Sequence, residues 1–284
     1  MIHIPVLLKE SVDELLLKEG KIFIDGTLGG GGHSGEVLKR FGKGVRVIGL
    51  DRNPETLRQV EERLGIETKV QSFADIDTLD INPDAILLDL GISSDQLDNS
   101  GKGFSFQKNE PLDMRMSDKG ITAADILNSW DDHAIELILR GFGEEKYSRR
   151  IASEIVRRRE EKPFETTFDL VEAVRVSRPK NPKEKTNPAT KTFQALRIAV
   201  NEELTALENG LEKGWKVLNP GGRFAVISFH SLEDRIVKNF FRDRAKGGEG
   251  RLITKKPITP TEEEVKANPR SRSAKLRVVE KNER

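Results

Sequence analysis

Three carboxylates stand at or near the ends of short apolar runs, and a polyglycine turn follows the first. Asp25 closes Lys21–Asp25 (KIFID), Asp51 closes Val45–Asp51 (VRVIGLD), and Asp89 lies near the end of Asp84–Leu90 (DAILLDL). Between the first two runs the chain reads Gly26-Thr27-Leu28-Gly29-Gly30-Gly31-Gly32-His33. A glycine turn between a strand and a helix lets backbone approach a ligand closely and leaves amide donors free at the helix start. An acid some 20 residues past Gly31, at the end of the second strand, is where nucleotide-type ligands have their ribose hydroxyls held. These features suit a dinucleotide and S-adenosyl-L-methionine alike; a tight turn with Asp51 as a mere helix cap is the bland alternative.

Three details favour S-adenosyl-L-methionine. The loop contains no clean G-x-G-x-x-G, and Asp25 directly precedes it, where a carboxylate would repel a pyrophosphate. A sulfonium cofactor has no phosphate and carries a positive centre, so Asp25 and Asp89 at one rim help it. The turn Asn219-Pro220-Gly221-Gly222 before a fifth apolar run, Arg223–Phe229, resembles the turn common in Rossmann-like methyltransferases.

The elements that must position these groups follow a βαβ rhythm. Ser34–Phe41 carries a helical pattern, Asn53-Pro54 starts a helix through Leu64, and Lys69–Phe73 supplies a further strand. Near-continuous apolar strands predict a parallel sheet covered on both faces. From about 100 to about 190 no convincing strand is visible. A loop (Gly101–Met116) precedes helical patterns at Thr122–Trp130, Asp132–Arg140, Glu144–Glu161 and Thr167–Val176. Phe193–Lys216 reads as one long helix returning to the sheet domain, and Glu233–Arg242 as another. Arg251–Lys255 and Lys275–Glu280 are expected to pair as an antiparallel hairpin. The expected division is therefore a discontinuous domain, 1–100 and 191–284, with a helical insertion at 101–190.

Composition narrows the chemistry. With 284 residues, 36% apolar and 33% charged, the chain has material for a sizeable core. Zero cysteines exclude disulfides, thiolate metal sites and a cysteine nucleophile. The four histidines have no ligand spacing, so no metal is expected. No run is long and apolar enough for a membrane span or a secretory signal, and a cytoplasmic location is expected. The net charge of +1 hides an uneven spread: −7 over residues 1–100, +3 over 101–200 and +5 over 201–284. That spread fits a polyanion held by the middle and C-terminal parts, or else ordinary solvated helix faces.

Several stretches are more specific: DGTLGGGGHS (Asp25–Ser34), LLDLGISSDQLD (Leu87–Asp98), GFSF (Gly103–Phe106), PLDMRM (Pro111–Met116), TFQALRIAVNEEL (Thr192–Leu204), SFHSLEDR (Ser228–Arg235) and NPRSRSAKLR (Asn268–Arg277). Together they resemble the RsmH (MraW) family, bacterial methyltransferases acting on N4 of one cytidine in the decoding region of 16S ribosomal RNA, and the likeness spans essentially the whole chain. The resemblance implies a Rossmann-like class I S-adenosylmethionine-dependent methyltransferase sheet with an inserted all-helical domain. It implies cofactor contacts at Gly31, Gly32, His33, Asp51, Phe73, Asp89 and Gln96, and small-subunit rRNA as partner. Naked RNA and a subunit particle both stay open as substrate, the length of the insertion and of the recognition segments favouring an assembled or nearly assembled 30S subunit. A homodimer is left open. Departures from the family pattern are small: Gly30 replaces a bulkier residue, Asn53 an Asp and Asn187 a His.

The residues themselves agree with that mapping. Asp51 is suited to ribose hydroxyls and Phe73 to the adenine face, although Phe73 reads equally well as a core aromatic. Transfer to a cytosine amine needs an acceptor for an amino proton and an extruded or single-stranded base. The Asp-Pro-Pro-Tyr signature of amino-methyltransferases is absent after Asp89, which leaves Asp89 and nearby carbonyls as candidate acceptors. His230 could orient the base or take the proton, with a hydrogen-bonded structural role equally open. Phe104, Phe106 and Phe229 are candidate stacking surfaces or local core. RNA contacts are expected from Lys191, Arg197, Arg270, Arg272 and Lys275, with a solubilising tail as the alternative for the C-terminal run. An oxidoreductase and a non-catalytic RNA-binding factor are the competing readings; titration with NAD against S-adenosyl-L-methionine, and a methyl-transfer assay, separate them.

Overall fold

The computed structural model describes residues 4–92, 97, 100–179 and 187–283. By internal contact the chain divides into two units, Met1–Ser93 with Leu204–Arg284, and Ser94–Glu203.

The first unit is built on a seven-stranded sheet in the order β3-β2-β1-β4-β5-β7-β6. The strands are β1 (Ile22–Asp25), β2 (Arg46–Asp51), β3 (Glu67–Val70), β4 (Ala85–Asp89), β5 (Arg223–Ser228), β6 (Gly250–Leu252) and β7 (Lys275–Lys281). β1 to β5 run parallel, and β7 enters antiparallel between β5 and β6. This is the Rossmann-like class I methyltransferase sheet. The expected pairing of the last two strands is present, but β7 also fills the edge of β5.

Successive strand residues feed two apolar layers. Phe23, Val47, Leu87, Ala225 and Val278 pack on one side with Val12, Val37, Leu57 and Val60, from α1 (Leu8–Glu14), α2 (Gly32–Phe41) and α3 (Pro54–Leu64). Ile24, Ile48, Ile86, Phe224 and Val279 pack on the other with Leu207, Leu211, Val237 and Phe241. Both faces are thus dry, which is why these strands read as unbroken apolar runs. α3 starts where its sequence says: the Asn53 side chain accepts from Glu55 N (2.9 Å), Pro54 takes the first turn, and Gly65 ends the helix with φ 64°.

The second unit contains α4 (Ala123–Ser129), α5 (Asp132–Gly141), α6 (Ser148–Arg159), α7 (Thr167–Ser177) and α8 (Thr190–Asn201). Capping boxes at Thr122/Asp125 and Thr166/Asp169 fix two of the starts. Among its described residues no strand forms, only an isolated bridge between Pro111 and Thr166.

Two boundaries differ from the sequence reading. The expected single helix Phe193–Lys216 is two, because Glu202 takes a left-handed conformation (φ 50°) and α9 begins at Glu203, running to Val217. α8 buries Phe193, Ala195 and Leu196 within the helical unit, against α5, rather than returning to the sheet. The first helical turn expected at Glu144 starts at Ser148 instead. Two short helices went unread: α1, and α11 (Glu262–Ala267), which follows α10 (Ser231–Lys246). Among the described residues no helix is long and apolar enough to cross a membrane.

Candidate functional site

The strand order reverses between β1 and β4, and in open parallel sheets ligands bind outside the carboxyl ends of the strands at such a switch point. Asp25, Asp51 and Asp89 are the last residues of β1, β2 and β4.

The glycine turn is tied to this edge by backbone. Leu28 N donates to Leu50 O (2.9 Å), and Gly31 N to Leu28 O (2.7 Å). Gly31 precedes α2 with φ 71°, a conformation that glycine adopts without strain, and a Cβ there would lie 2.7 Å from Val60 Cγ1. A Cβ on Gly32 would lie 2.1 Å from Pro5 Cγ, so α2 packs on the N-terminal segment at van der Waals contact. Arg63 donates to the Gly30 carbonyl, joining α3 to the turn. Asp51 accepts from Gly29 N (3.0 Å) with one oxygen and from Asn53 N (2.9 Å) with the other. It therefore pins the loop on one side and the start of α3 on the other, while staying partly exposed.

Two further acids lie behind the turn, Asp25 buried and Asp89 partly buried. Asp25 accepts from the Ser34 hydroxyl (2.8 Å) and from Thr27 N (3.3 Å). Burial pushes its carboxyl up to about 6, against those two hydrogen bonds, and the charge of Asp51 adds to the rise. Asp89 is also pushed up to about 6, first by burial; His33 pulls it down, and the charges of Asp25 and Glu233 push it up. Its Oδ1 is buried with no hydrogen-bond partner. Its backbone N donates to the Thr27 hydroxyl (2.6 Å). His33 sits with Nε2 3.2 Å from Val6 O, which can only accept, so the ring proton belongs on Nε2 and Nδ1 faces Asp89 Oδ2 at 4.0 Å. Thr27 and Ser34 were not read as site residues, although both lie inside the glycine motif; their signal was a hydroxyl on each side of the turn.

Phe73 starts a short 3₁₀ segment (Phe73–Leu79) instead of ending the strand expected at Lys69–Phe73. Its ring lies against α9, where a Cβ on Gly210 would meet Phe73 Cδ2 at 2.5 Å. Phe229 covers Gly91. His230 is the N-cap of α10: Nδ1 accepts from Glu233 N (3.4 Å), and Nε2 lies 3.2 Å from Glu233 Oε1 in poor alignment. Glu233, buried, returns the bond by accepting from Phe229 N (2.8 Å) and His230 N (3.3 Å). The sequence assigned Glu233 only a helix start; it also closes the turn after β5. Gln96 lies outside the described residues.

The basic candidates are unequal. Lys275 (Nζ to Asp234 Oδ2, 3.0 Å) and Arg277 (Nε to Asp234 Oδ1, 2.7 Å) both neutralise one carboxylate, so the C-terminal run is partly spent inside the fold. Arg270 and Arg272 are exposed. Within the helical unit Arg197 pairs with Glu203 (2.8 Å), and Lys191 is exposed with Nζ donating to Glu144 O (2.9 Å). Phe104 is buried and Phe106 meets Phe193 edge-on at 5.6 Å, so both belong to that unit's packing.

The donor set at the switch point fits S-adenosyl-L-methionine. Several acids with one nearby histidine, one acid oxygen unpartnered and two carboxyls raised chiefly by burial, with neighbouring acids adding to the rise, form a site that suits a cationic ligand. Residues 1–282 match the model of a family described as the MraW methylase family. A protein of Pelobacter propionicus named Ribosomal RNA small subunit methyltransferase H is 47% identical over 307 aligned residues, covering 98% of each chain. Proteins of the same name from Symbiobacterium thermophilum (45% over 306) and Carboxydothermus hydrogenoformans (45% over 306) cover 98% of this chain and 96% and 97% of their own lengths.

Proposed function

The chain belongs to the MraW methylase family, and from that premise we propose that it methylates N4 of one cytidine in the decoding region of 16S ribosomal RNA. S-Adenosyl-L-methionine is its methyl donor, and when bound it supplies an electrophilic methyl group on a sulfonium centre. The observation that carries the reading is the convergence of Asp25, Asp51 and Asp89 beside a glycine turn at the sheet's switch point.

In this reading Asp51 takes the ribose hydroxyls, and the Gly31 and Gly32 backbone lies along the cofactor. Phe73 borders the adenine, and His33 and Gln96 complete the contacts. Asp25 and Asp89 supply negative charge toward the cationic part of the donor. Asp89 has a second role. A cytosine amine surrenders a proton as its nitrogen takes up the methyl, and an acceptor whose affinity lies near the working pH serves best. Asp89, raised to about 6 and with Oδ1 unpartnered, meets that requirement. His230 supports the reaction by capping α10 and holding Glu233. The unit Ser94–Glu203 is assigned to RNA recognition, with the target base extruded or single-stranded on an assembled or nearly assembled 30S subunit. The names of the relatives favour small-subunit rRNA as the substrate.

The test is to incubate the enzyme and labelled cofactor with 30S subunits from a deletion strain and map the modified nucleotide. Label at N4 of a single decoding-region cytidine is expected. An unchanged level of N4-methylcytidine in the deletion strain's rRNA would refute the assignment.

A further inference from the structure

The cations of α6 are divided between its two ends. Toward the C-terminus all three are spent: Arg157 pairs with Glu154 and Glu161 (2.8 Å each), Arg158 with Glu154 (2.6 Å), and Arg159 donates to the Leu127 and Trp130 carbonyls (3.0 and 2.5 Å). These arginines sit where the helix dipole favours positive charge. At the other end Lys146, Arg149 and Arg150 are exposed, and among the described residues none has an ion pair or hydrogen bond. The first turn of α6 contains no acid, and its N-cap Tyr147 makes no side-chain cap. Arg149 and Arg150 in the first turn work against the dipole, and Lys146 just ahead of it adds like charge, so these charges give the helix no electrostatic support.

The surrounding side chains add to the imbalance. Lys191 reaches the same corner, donating to Glu144 O (2.9 Å). The buried Glu145 beside the patch faces Arg178 (3.5 Å), whose guanidinium lies 5.4 Å from the Tyr147 ring centroid. Among the described residues Lys146, Arg149, Arg150 and Lys191 thus gather at one corner, where the buried Glu145 is matched by Arg178. Lys146 lies just ahead of the N-cap and Arg149 and Arg150 lie in the first turn, so three exposed cations cluster at this end of the helix, as side chains that contact phosphates do.

We propose that Lys146, Arg149 and Arg150, with Lys191 beside them, form a docking surface for the phosphate backbone of the substrate RNA. This deepens the rRNA reading and rests on it. The patch contributes affinity and orientation with no base readout, so its loss acts on RNA binding and KM and leaves cofactor binding alone.

The test uses full-length protein and 30S subunits lacking the modification. Binding is measured against salt for wild type, for the triple variant Lys146→Ala/Arg149→Ala/Arg150→Ala, and for Arg157→Gln as a paired cation on the same helix. The triple variant is expected to lose about 2 from the slope of log K against log salt and to bind on the order of tenfold or more weakly at low salt. Its KM should rise with kcat nearly unchanged, its affinity for S-adenosyl-L-methionine should match wild type, and Arg157→Gln should keep the wild-type slope. Arg149→Lys/Arg150→Lys should restore most of the slope. A triple variant with the wild-type slope and KM, while wild type methylates the subunits, overturns the patch alone. If wild type neither binds nor methylates them, the rRNA reading falls first and the patch with it.

Discussion

His33 Nδ1 and Asp89 Oδ2 face each other at 4.0 Å, beyond a hydrogen bond, so the two couple through charge when the imidazole carries its second proton. The imidazole lowers a carboxyl that burial alone would carry higher, and Asp25 and Glu233 push back. The site is thus built with more negative charge than its own cations balance. A cationic ligand suits such a site, and the titration of its acids is the direct check.

The first concerns pH. Asp89 rises from 3.8 to about 6 on folding, so the folded protein keeps a proton that the unfolded chain gives up earlier. The associated stability is complete below about pH 4 and is lost as pH rises through about 6. It corresponds to on the order of 2–3 kcal/mol. Glu154, Asp234 and Glu280 are lowered by arginine and lysine neighbours and act in the opposite sense, so the difference between variants is the clean observable. Asp89→Asn, without cofactor, should gain stability relative to wild type between pH 4.5 and pH 7.5. Urea midpoints at the two pH values check this; a difference that does not change with pH would count against the buried charge.

A second prediction separates ribose binding from loop architecture at Asp51. Both its oxygens accept backbone amides, and Asp51→Ala leaves the Gly29 and Asn53 N–H groups without their partner. Affinity for S-adenosyl-L-methionine should fall by ten- to hundredfold, about 1–3 kcal/mol, with a smaller loss for Asp51→Asn, which keeps one acceptor. Isothermal titration measures it. Unaltered affinity in the alanine variant would remove Asp51 from the site.

Much of this site was legible because its physics is local. A strand buried on both faces reads as a continuous apolar run, and an acid closing such a run in KIFID and VRVIGLD marks the sheet's carboxyl edge. Asn53-Pro54 and Gly65 bracket α3 for equally local reasons. What stayed hidden depends on residues far apart in the chain. Lys275 and Arg277 look like an RNA-binding run until Asp234, some forty residues earlier, is found between them. The break at Glu202 is invisible because the apolar pattern of Phe193–Trp215 continues through it, and left-handed Glu has no local signature. β7 slides between β5 and β6 by non-local pairing that no window of sequence contains.

The third prediction tests the glycine turn as architecture. Gly31→Ala must place a Cβ at φ 71° and 2.7 Å from Val60 Cγ1. A loss of about 1–3 kcal/mol in urea melts is expected, together with weaker cofactor binding, because the start of α2 must shift. Gly65→Ala at φ 64° meets no atom within 4 Å and controls for backbone strain alone. Equal losses in the two variants would show that the close approach to Val60 contributes nothing.

The last prediction decides between two uses of His230. Its Nδ1 is engaged at the N-terminus of α10, accepting from Glu233 N, so the ring has one nitrogen left and Glu233 Oε1 lies 3.2 Å from it. Asn is among the best N-cap residues and does not titrate, so His230→Asn keeps the cap and discards the acid–base chemistry. His230→Ala discards both. If capping is the role, His230→Asn should stay within about 0.5 kcal/mol of wild-type stability and methylate within a few-fold of the wild-type rate. His230→Ala should lose about 1 kcal/mol and, through the displaced Phe229–Glu233 turn, part of its activity. The pH–rate profile supplies the second readout: with Asp89 as acceptor, the acid limb near 6 persists in His230→Asn. A His230→Asn enzyme that folds normally yet transfers methyl groups a hundredfold more slowly, with that limb gone, would assign the proton to the imidazole instead.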